Sequence, residues 1–224
     1  MKLIHPDWEK QITLDGEKVP LISIENPACL YRTLTEIREE CLTGKGQFIL
    51  SEGEKELDMK KHFLPILSPW DMDFNDRKLI TRLVSRMTGL AEGESFYQKS
   101  NELCSRVVEW MEELAMEMPL PLSYDLDIDI EALLKALHLH IDEAGMGLEE
   151  RMLTFMKTWN ILCGETGFAF YGFRNLMDRD NRSLFYENGK AENYQFLFLE
   201  GPCNDRIEEE DLFIIDKDLC QIFE

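Results

Sequence analysis

Positive charge is scarce in this sequence. Lys and Arg number 24 against 44 Asp and Glu, a formal charge of −20 at pH 7. That balance excludes a protein that is basic throughout. It is only a total, however, and an acidic chain can still gather its cations on one surface. Cysteine is sparse too: Cys29, Cys41, Cys104, Cys163, Cys203 and Cys220 are scattered, with no Cys-x-x-Cys pair. Most sit in apolar contexts, so they read as reduced thiols rather than disulfides or zinc ligands. No apolar run is long enough to span a bilayer, and the polar start Met1-Lys2-Leu3-Ile4-His5-Pro6-Asp7 lacks a signal-peptide core, so a cytoplasmic protein is expected. Internal repeats and low-complexity tracts are absent.

What is present is enough for a core. Hydrophobic residues make up 44% of 224 residues and include thirteen Phe and four Trp, which excludes a disordered chain. Residues 11–14 and 19–24 are apolar segments on either side of Asp15-Gly16, and this pattern predicts a hairpin. Asn26 is suited to cap a helix and Pro27 to open it. Leu30, Leu34, Ile37 and Cys41 carry that helix to about residue 42, and Gly44 and Gly46 end it. Residues 47–50 and 63–67 predict strands.

This order is how nucleotide-binding α/β domains open. The turn Glu25-Asn26-Pro27-Ala28-Cys29-Leu30, however, has no glycine for close backbone approach and no Lys-Ser/Thr pair for phosphate and magnesium. ATP hydrolysis is not expected. Further along, residues 167–171, 194–200 and 212–215 predict strands, with a helix over 178–188 before Gly189. The acidic run at 208–211 reads as a solvated helix start. Continuous apolar strands alternating with helices predict an α/β fold, a mostly parallel sheet with flanking helices.

The middle of the chain is helical. Asn75 or Asp76 caps a helix over 77–87 whose apolar face is Leu79, Ile80, Leu83, Val84 and Met87. Lys78, Arg82 and Arg86 recur every four residues and form one cationic stripe, which either contacts an anion or is a solvated face pairing with acidic neighbours. Seams of apolar residues follow, Cys104, Val107, Met111, Leu114 and Met118 in a helix over 96–118, and Leu148, Met152, Phe155, Trp159 and Leu162 in another over 147–163. Matching seams predict an antiparallel pair, and hence a helical insertion over 74–163 in an α/β domain built from 1–73 and 164–224.

Between the seams, Asp125, Asp127, Asp129 and Glu131 alternate with apolar residues. A strand with that edge would repel itself, so Asp129 is read as the cap of a short helix over 130–137, followed by a short strand over 138–141. The turn gathers carboxylates, either as a solvated acidic knob or as a hard-cation site. His138 and His140 share one face of that strand but have no third ligand at a recognisable spacing, and read as surface histidines. Glu109 and Glu113 share a helix face without a nucleophile beside them, which gives no support to a nuclease.

Several segments, in order, resemble a known family. They are Leu-Ile-Ser-Ile-Glu at 21–25 with the helix Leu-Tyr-Arg-Thr-Leu, and Asp71-Met-Asp-Phe-Asn leading into Lys-Leu-Ile-Thr-Arg-Leu. Tyr124-Asp125 before Ile-Glu-Ala-Leu-Leu-Lys-Ala-Leu follows, then Phe196-Leu-Phe-Leu-Glu and Glu210-Asp-Leu-Phe-Ile-Ile. Together they are similar to the type II-A CRISPR-associated adaptation protein that forms a tetrameric ring on double-stranded DNA.

The resemblance implies a degenerate phosphate-loop ATPase-like head with an inserted α-helical leg, and a homotetramer with a cationic inner wall around duplex DNA. It also implies calcium bound by acids of the leg, and work in spacer acquisition beside the integrase proteins and the effector nuclease, without catalysis of its own. On this chain the DNA contacts would fall to Lys78, Arg82, Arg86 and Lys135. Calcium, which takes roughly six to eight oxygens, would fall to Glu109, Glu113, Asp125, Asp127 and Asp129. The chain departs from the family just before Tyr124, where members commonly carry a run of carboxylates and residues 118–123 carry none. A protein-binding scaffold of the same fold that does not touch DNA, and a decayed nucleotide-binding protein, are the alternatives.

Overall fold

The computed structural model describes residues 1–203 and 205–223. The chain opens with β1 (Lys2–Ile4), β2 (Ile12–Thr13), β3 (Val19–Ile24), α1 (Pro27–Thr43), β4 (Ile49–Glu52) and β5 (Lys55–Leu57). It continues through α2 (Met59–His62), β6 (Phe63–Ile66), α3 (Arg77–Glu92), α4 (Tyr97–Met116), α5 (Ile130–Ala136) and α6 (Leu148–Cys163). It closes with β7 (Gly167–Tyr171), α7 (Arg179–Ala191), β8 (Gln195–Glu200), β9 (Glu210–Ile215) and β10 (Gln221–Phe223). These elements fall into two compact units, Met1–Asp73 with Glu143–Glu224, and Phe74–Asp142.

All six residues of β3 are buried, which is the pattern of a strand covered on both faces and paired on both edges. It lies between β9 and β8, parallel to both, in a six-stranded sheet of order β10-β9-β3-β8-β7-β6. Strands β7 and β6 continue the parallel set and β10 alone runs antiparallel, so the first unit is an α/β fold. The hairpin expected around Asp15-Gly16 does not form. Ile12 and Thr13 pair instead with β1, in a separate antiparallel sheet of order β2-β1-β4-β5. The turn dipeptide therefore carries the chain from one sheet to the other, because β3 has more apolar surface to bury than a two-stranded ribbon offers.

Helix α1 follows its local signals. Asn26 Oδ1 accepts hydrogen bonds from the amides of Ala28 and Cys29, Pro27 opens the helix, and Gly44 closes it at φ 71°, a left-handed conformation that glycine adopts without strain. One face of the large sheet packs Ile22, Leu197 and Phe213 into a core shared with Ile37 of α1 and with Leu3 and Leu50 of the smaller sheet. On the next residues along the strands, Phe170, Phe196 and Phe198 meet Phe185 edge-on and Phe198 meets Tyr186 at a tilt, both from α7, in one aromatic cluster. Helix α7 runs past the expected end at 188 through Gly189. A Cβ there would stand 2.6 Å from the Phe196 ring, so glycine is what lets helix and strand approach.

Helix α6 belongs to this first unit. Met152, Phe155, Met156 and Trp159 are buried and the helix packs on α7, where the sequence pattern pairs it with the helix over 96–118. The second boundary of the insertion accordingly lies at 142 rather than 163. Residues 208–211 are not a helix start either: Glu210 opens β9 and is fully buried.

The second unit consists of α3, α4 and α5. Asp76 caps α3, whose Leu79 and Val84 are buried, and α5 packs on α3. No residue of α4 is buried; Val107 and Met111 of its seam are half-buried. The strand expected over 138–141 is replaced by an irregular turn, with His138 at φ 51°. Backbone pairing there comes from a side chain: Asn75 Oδ1 accepts from the Ile141 amide at 2.8 Å and Asn75 Nδ2 donates to the Ile141 carbonyl at 3.2 Å. Among the described residues no helix is long and apolar enough to cross a membrane.

Candidate nucleic-acid interface

Helix α3 sorts its residues by side. At about 100° per residue, Lys78, Arg82 and Arg86 lie about 40° apart in turn, and their arc is opposite Ile80 and Val84. All three cations are exposed, as is Arg77, and the only acidic residue within α3 is Glu92 at its end. The cap sets the helix start: Asp76 Oδ1 accepts from the Lys78 amide at 2.8 Å. Helix α4 has the opposite balance, with Glu102, Glu109, Glu112 and Glu113 against Lys99 and Arg106. Three of the seven cations of the second unit thus share one face of one helix.

Lys135 does not join them. It lines a cavity of about 350 Å³ with Asn75, Ile80, Val84 and the turn from His138 to His140, on the side of α3 that faces away from the stripe. Its ammonium donates to Glu131 Oε1 one helical turn earlier, and this hydrogen bond with its accompanying charge holds the lysine above its ordinary pKa.

The five proposed metal ligands do not converge. Glu109 and Glu113 are exposed on α4, and Asp125 and Asp127 are exposed in the segment before α5. Asp129 is committed as a cap, its Oδ1 accepting from the Ala132 amide at 3.1 Å. Among the described residues no three His, Cys, Asp or Glu side chains come together in a group able to hold a metal ion. A calcium site needs several carboxylate oxygens around one point, and an irregular segment whose Asp side chains face solvent does not supply that.

The position of a phosphate loop is closed as well. Besides accepting from the first amides of α1, at 3.0 and 3.1 Å, Asn26 donates from Nδ2 to the Lys217 carbonyl at 2.9 Å. The donors that would bind phosphate at a helix start are already satisfied by this side chain.

A buried ionic network lies in the first unit, and sequence reasoning did not detect it. Arg174 is 2% exposed and grips Glu210 with two bonds, Nε to Oε1 at 2.8 Å and Nη2 to Oε2 at 3.0 Å. Its backbone amide donates to Glu200 Oε1 at 3.0 Å, and its guanidinium reaches Cys203 Sγ and the Asp205 carbonyl. Tyr186 donates its hydroxyl to Glu210 Oε1 at 2.8 Å, and Arg182 donates to Asp205 Oδ2 at 2.6 Å.

Burial opposes the charge on Arg174, but the hydrogen bond and charge of Glu210 outweigh it and keep the guanidinium protonated. Burial raises the carboxyl of Glu200 and the hydroxyl of Tyr186, and the bond from Arg182 lowers Asp205. The network fixes the connection from β8 to β9, a crossing between parallel strands with no helix among its described residues. Its signal in the sequence is a lone Glu at the end of one continuous apolar strand, Glu200, and Glu210 within the acidic run that opens the next.

Two comparisons with known proteins bear on the chain. The family model described as CRISPR-associated protein (Cas_Csn2) matches residues 43–219. Among solved structures, the crystal structure of Stu0660 of Streptococcus thermophilus is similar at a TM-score of 0.57 and 12% identity, over 96% of this chain and 75% of that one. At that identity the likeness is one of fold. None of the curated proteins matches the sequence.

Proposed function

The chain belongs to the Csn2 family of CRISPR-associated proteins, and we propose that within it the protein is a non-catalytic ring that binds duplex DNA during spacer acquisition, beside the integrase proteins and the effector nuclease. The observation that carries the reading is the stripe of Lys78, Arg82 and Arg86, exposed on a helix whose opposite side holds the buried Val84. A chain this acidic holds a polyanion only where its cations are concentrated. Contacts of this kind go to phosphates, are indifferent to base sequence, and weaken steeply with salt.

A homotetramer supplies the closure. The second unit exposes Leu103, Trp110 and Leu114 along one side of α4, apolar surface that a closed assembly of copies covers. The reading routes no step through calcium, since the proposed ligands do not converge, and it assigns the protein no chemistry.

The test is a mobility shift on linear and on covalently closed circular duplex, with the wild type and with Arg82→Glu/Arg86→Glu. The wild type is expected to bind linear duplex at low salt and to fail on the closed circle, and the double reversal to lose binding while keeping its oligomeric state. Wild-type protein that leaves linear duplex unshifted favours the alternative, a protein-binding scaffold of the same fold, to which the exposed apolar side of α4 is equally suited.

A further inference from the structure

A groove of about 670 Å³ runs between α6 and α7 in the first unit. Its apolar lining is Leu153, Leu184, Phe185 and Tyr194. Phe185 and Tyr194 are buried, whereas Leu184 is 56% exposed and stands open to solvent. The lining residues follow helical spacing on both walls, 149, 150, 153, 154 and 157 on α6 and 181, 184, 185 and 188 on α7. At about 1.5 Å per residue these walls run about 11–12 Å, the length of two turns of a third helix.

Charge at the groove has one dominant sign. Glu149, Glu150 and Glu192 line it against a single cation, Lys157. The Tyr194 hydroxyl responds to this setting, raised first by burial and then by the charge of Glu192. An apolar floor flanked by carboxylates matches the apolar anchors and flanking cations of a basic amphipathic helix, recognised at i, i+3, i+4 and i+7.

We propose that the α6–α7 groove is a docking site for a short cationic amphipathic helix presented by a partner protein. The site shares no residue with the α3 stripe and lies in the other unit, so it does not depend on the DNA reading.

The experiment is fluorescence anisotropy with a labelled eleven-residue amphipathic helix of Leu and Lys, with its Leu and Glu counterpart as control. Titrations use wild-type chain, Glu150→Lys/Glu192→Lys, Leu184→Asp, and Glu54→Lys/Glu56→Lys on the smaller sheet. Glu150, Glu192 and Leu184 are exposed, so circular dichroism is expected to show all variants folded.

The expected result is binding of the Leu/Lys peptide alone. It weakens at least tenfold in each groove variant and by less than twofold in the distant reversal. Equal losses in the distant reversal would assign the binding to general acidity and overturn the site. Wild-type affinity in Leu184→Asp, or no binding of the Leu/Lys peptide to the wild type, would overturn it as well. A change of oligomeric state confined to the groove variants, read by sedimentation, would make the occupant a second copy of this chain rather than a partner.

Discussion

In the first unit, the bidentate pair Arg174–Glu210 is buried under the crossing from β8 to β9, where both charges are spent on one another. In the second unit, Lys78, Arg82 and Arg86 stand exposed along α3, while no residue of α4 is buried. The two units use charge for different ends. A buried pair contributes little net stability over an apolar replacement, but it penalises heavily any arrangement that separates its members. Exposed cations contribute little to stability and lie where an external polyanion can reach them. Substitutions in the first unit are therefore expected to register in stability, and those on α3 in binding.

The largest stability effect is expected at Arg174. Replacing it with Ala strands the fully buried Glu210 and costs about 3–5 kcal/mol in urea denaturation. A loss below 1 kcal/mol would mean that the connection from β8 to β9 holds without the pair. Next comes Gly189→Ala, which drives a methyl group into the Phe196 ring and is expected to cost about 1–3 kcal/mol by the same measurement.

Removal of the α5 cap by Asp129→Ala is expected to cost about 1 kcal/mol. Amide hydrogen exchange locates the change: faster exchange confined to 130–137 agrees with two separate units, and acceleration across β3 would erase the distinction. The double reversal Arg82→Glu/Arg86→Glu is expected to invert the pattern, changing stability by less than about 0.5 kcal/mol while abolishing the proposed duplex shift.

The smallest effect concerns Glu40, whose Oε2 accepts from the Phe48 amide at 3.0 Å and whose carboxyl is raised above its ordinary value of 4.5, chiefly by burial. The folded chain holds this proton more tightly than the unfolded one. The group's contribution is therefore full below about pH 4.5 and is lost as pH rises through the raised value. Glu40→Gln keeps an acceptor for Phe48 and removes the titration. It should be the more stable protein at pH 7, by less than about 1 kcal/mol, with the advantage gone below about pH 4.5 in thermal scans. An advantage constant across that range would assign it to packing.

Legibility in the sequence followed the range of each interaction. The caps Asn26, Asp76 and Asp129 act on amides two or three residues away, and each was readable from its neighbours. The strands β7 and β8 were readable as unbroken apolar runs, and the α3 stripe as a four-residue repeat. The reading of 208–211 failed because a run of acids looks solvated unless the distant Arg174 that neutralises one of them is known. The strand expected over 138–141 failed because the Asn75 amide, 66 residues earlier, takes the hydrogen bonds that a neighbouring strand would otherwise supply.

The sequence by itself determined the α/β class, most helix and strand locations, the absence of a phosphate loop and the existence of a cationic stripe. Each of these rests on spacing or on chemistry within a few residues. Only the tertiary structure decided that Asp15-Gly16 joins two sheets, that α6 belongs with α7, that Lys135 faces away from the stripe, and that the carboxylates around Asp129 stay apart. Those outcomes depend on which apolar face finds the larger partner surface and on which charges meet across the fold. Both are settled by contacts between residues far apart along the chain, and local pattern carries no record of them.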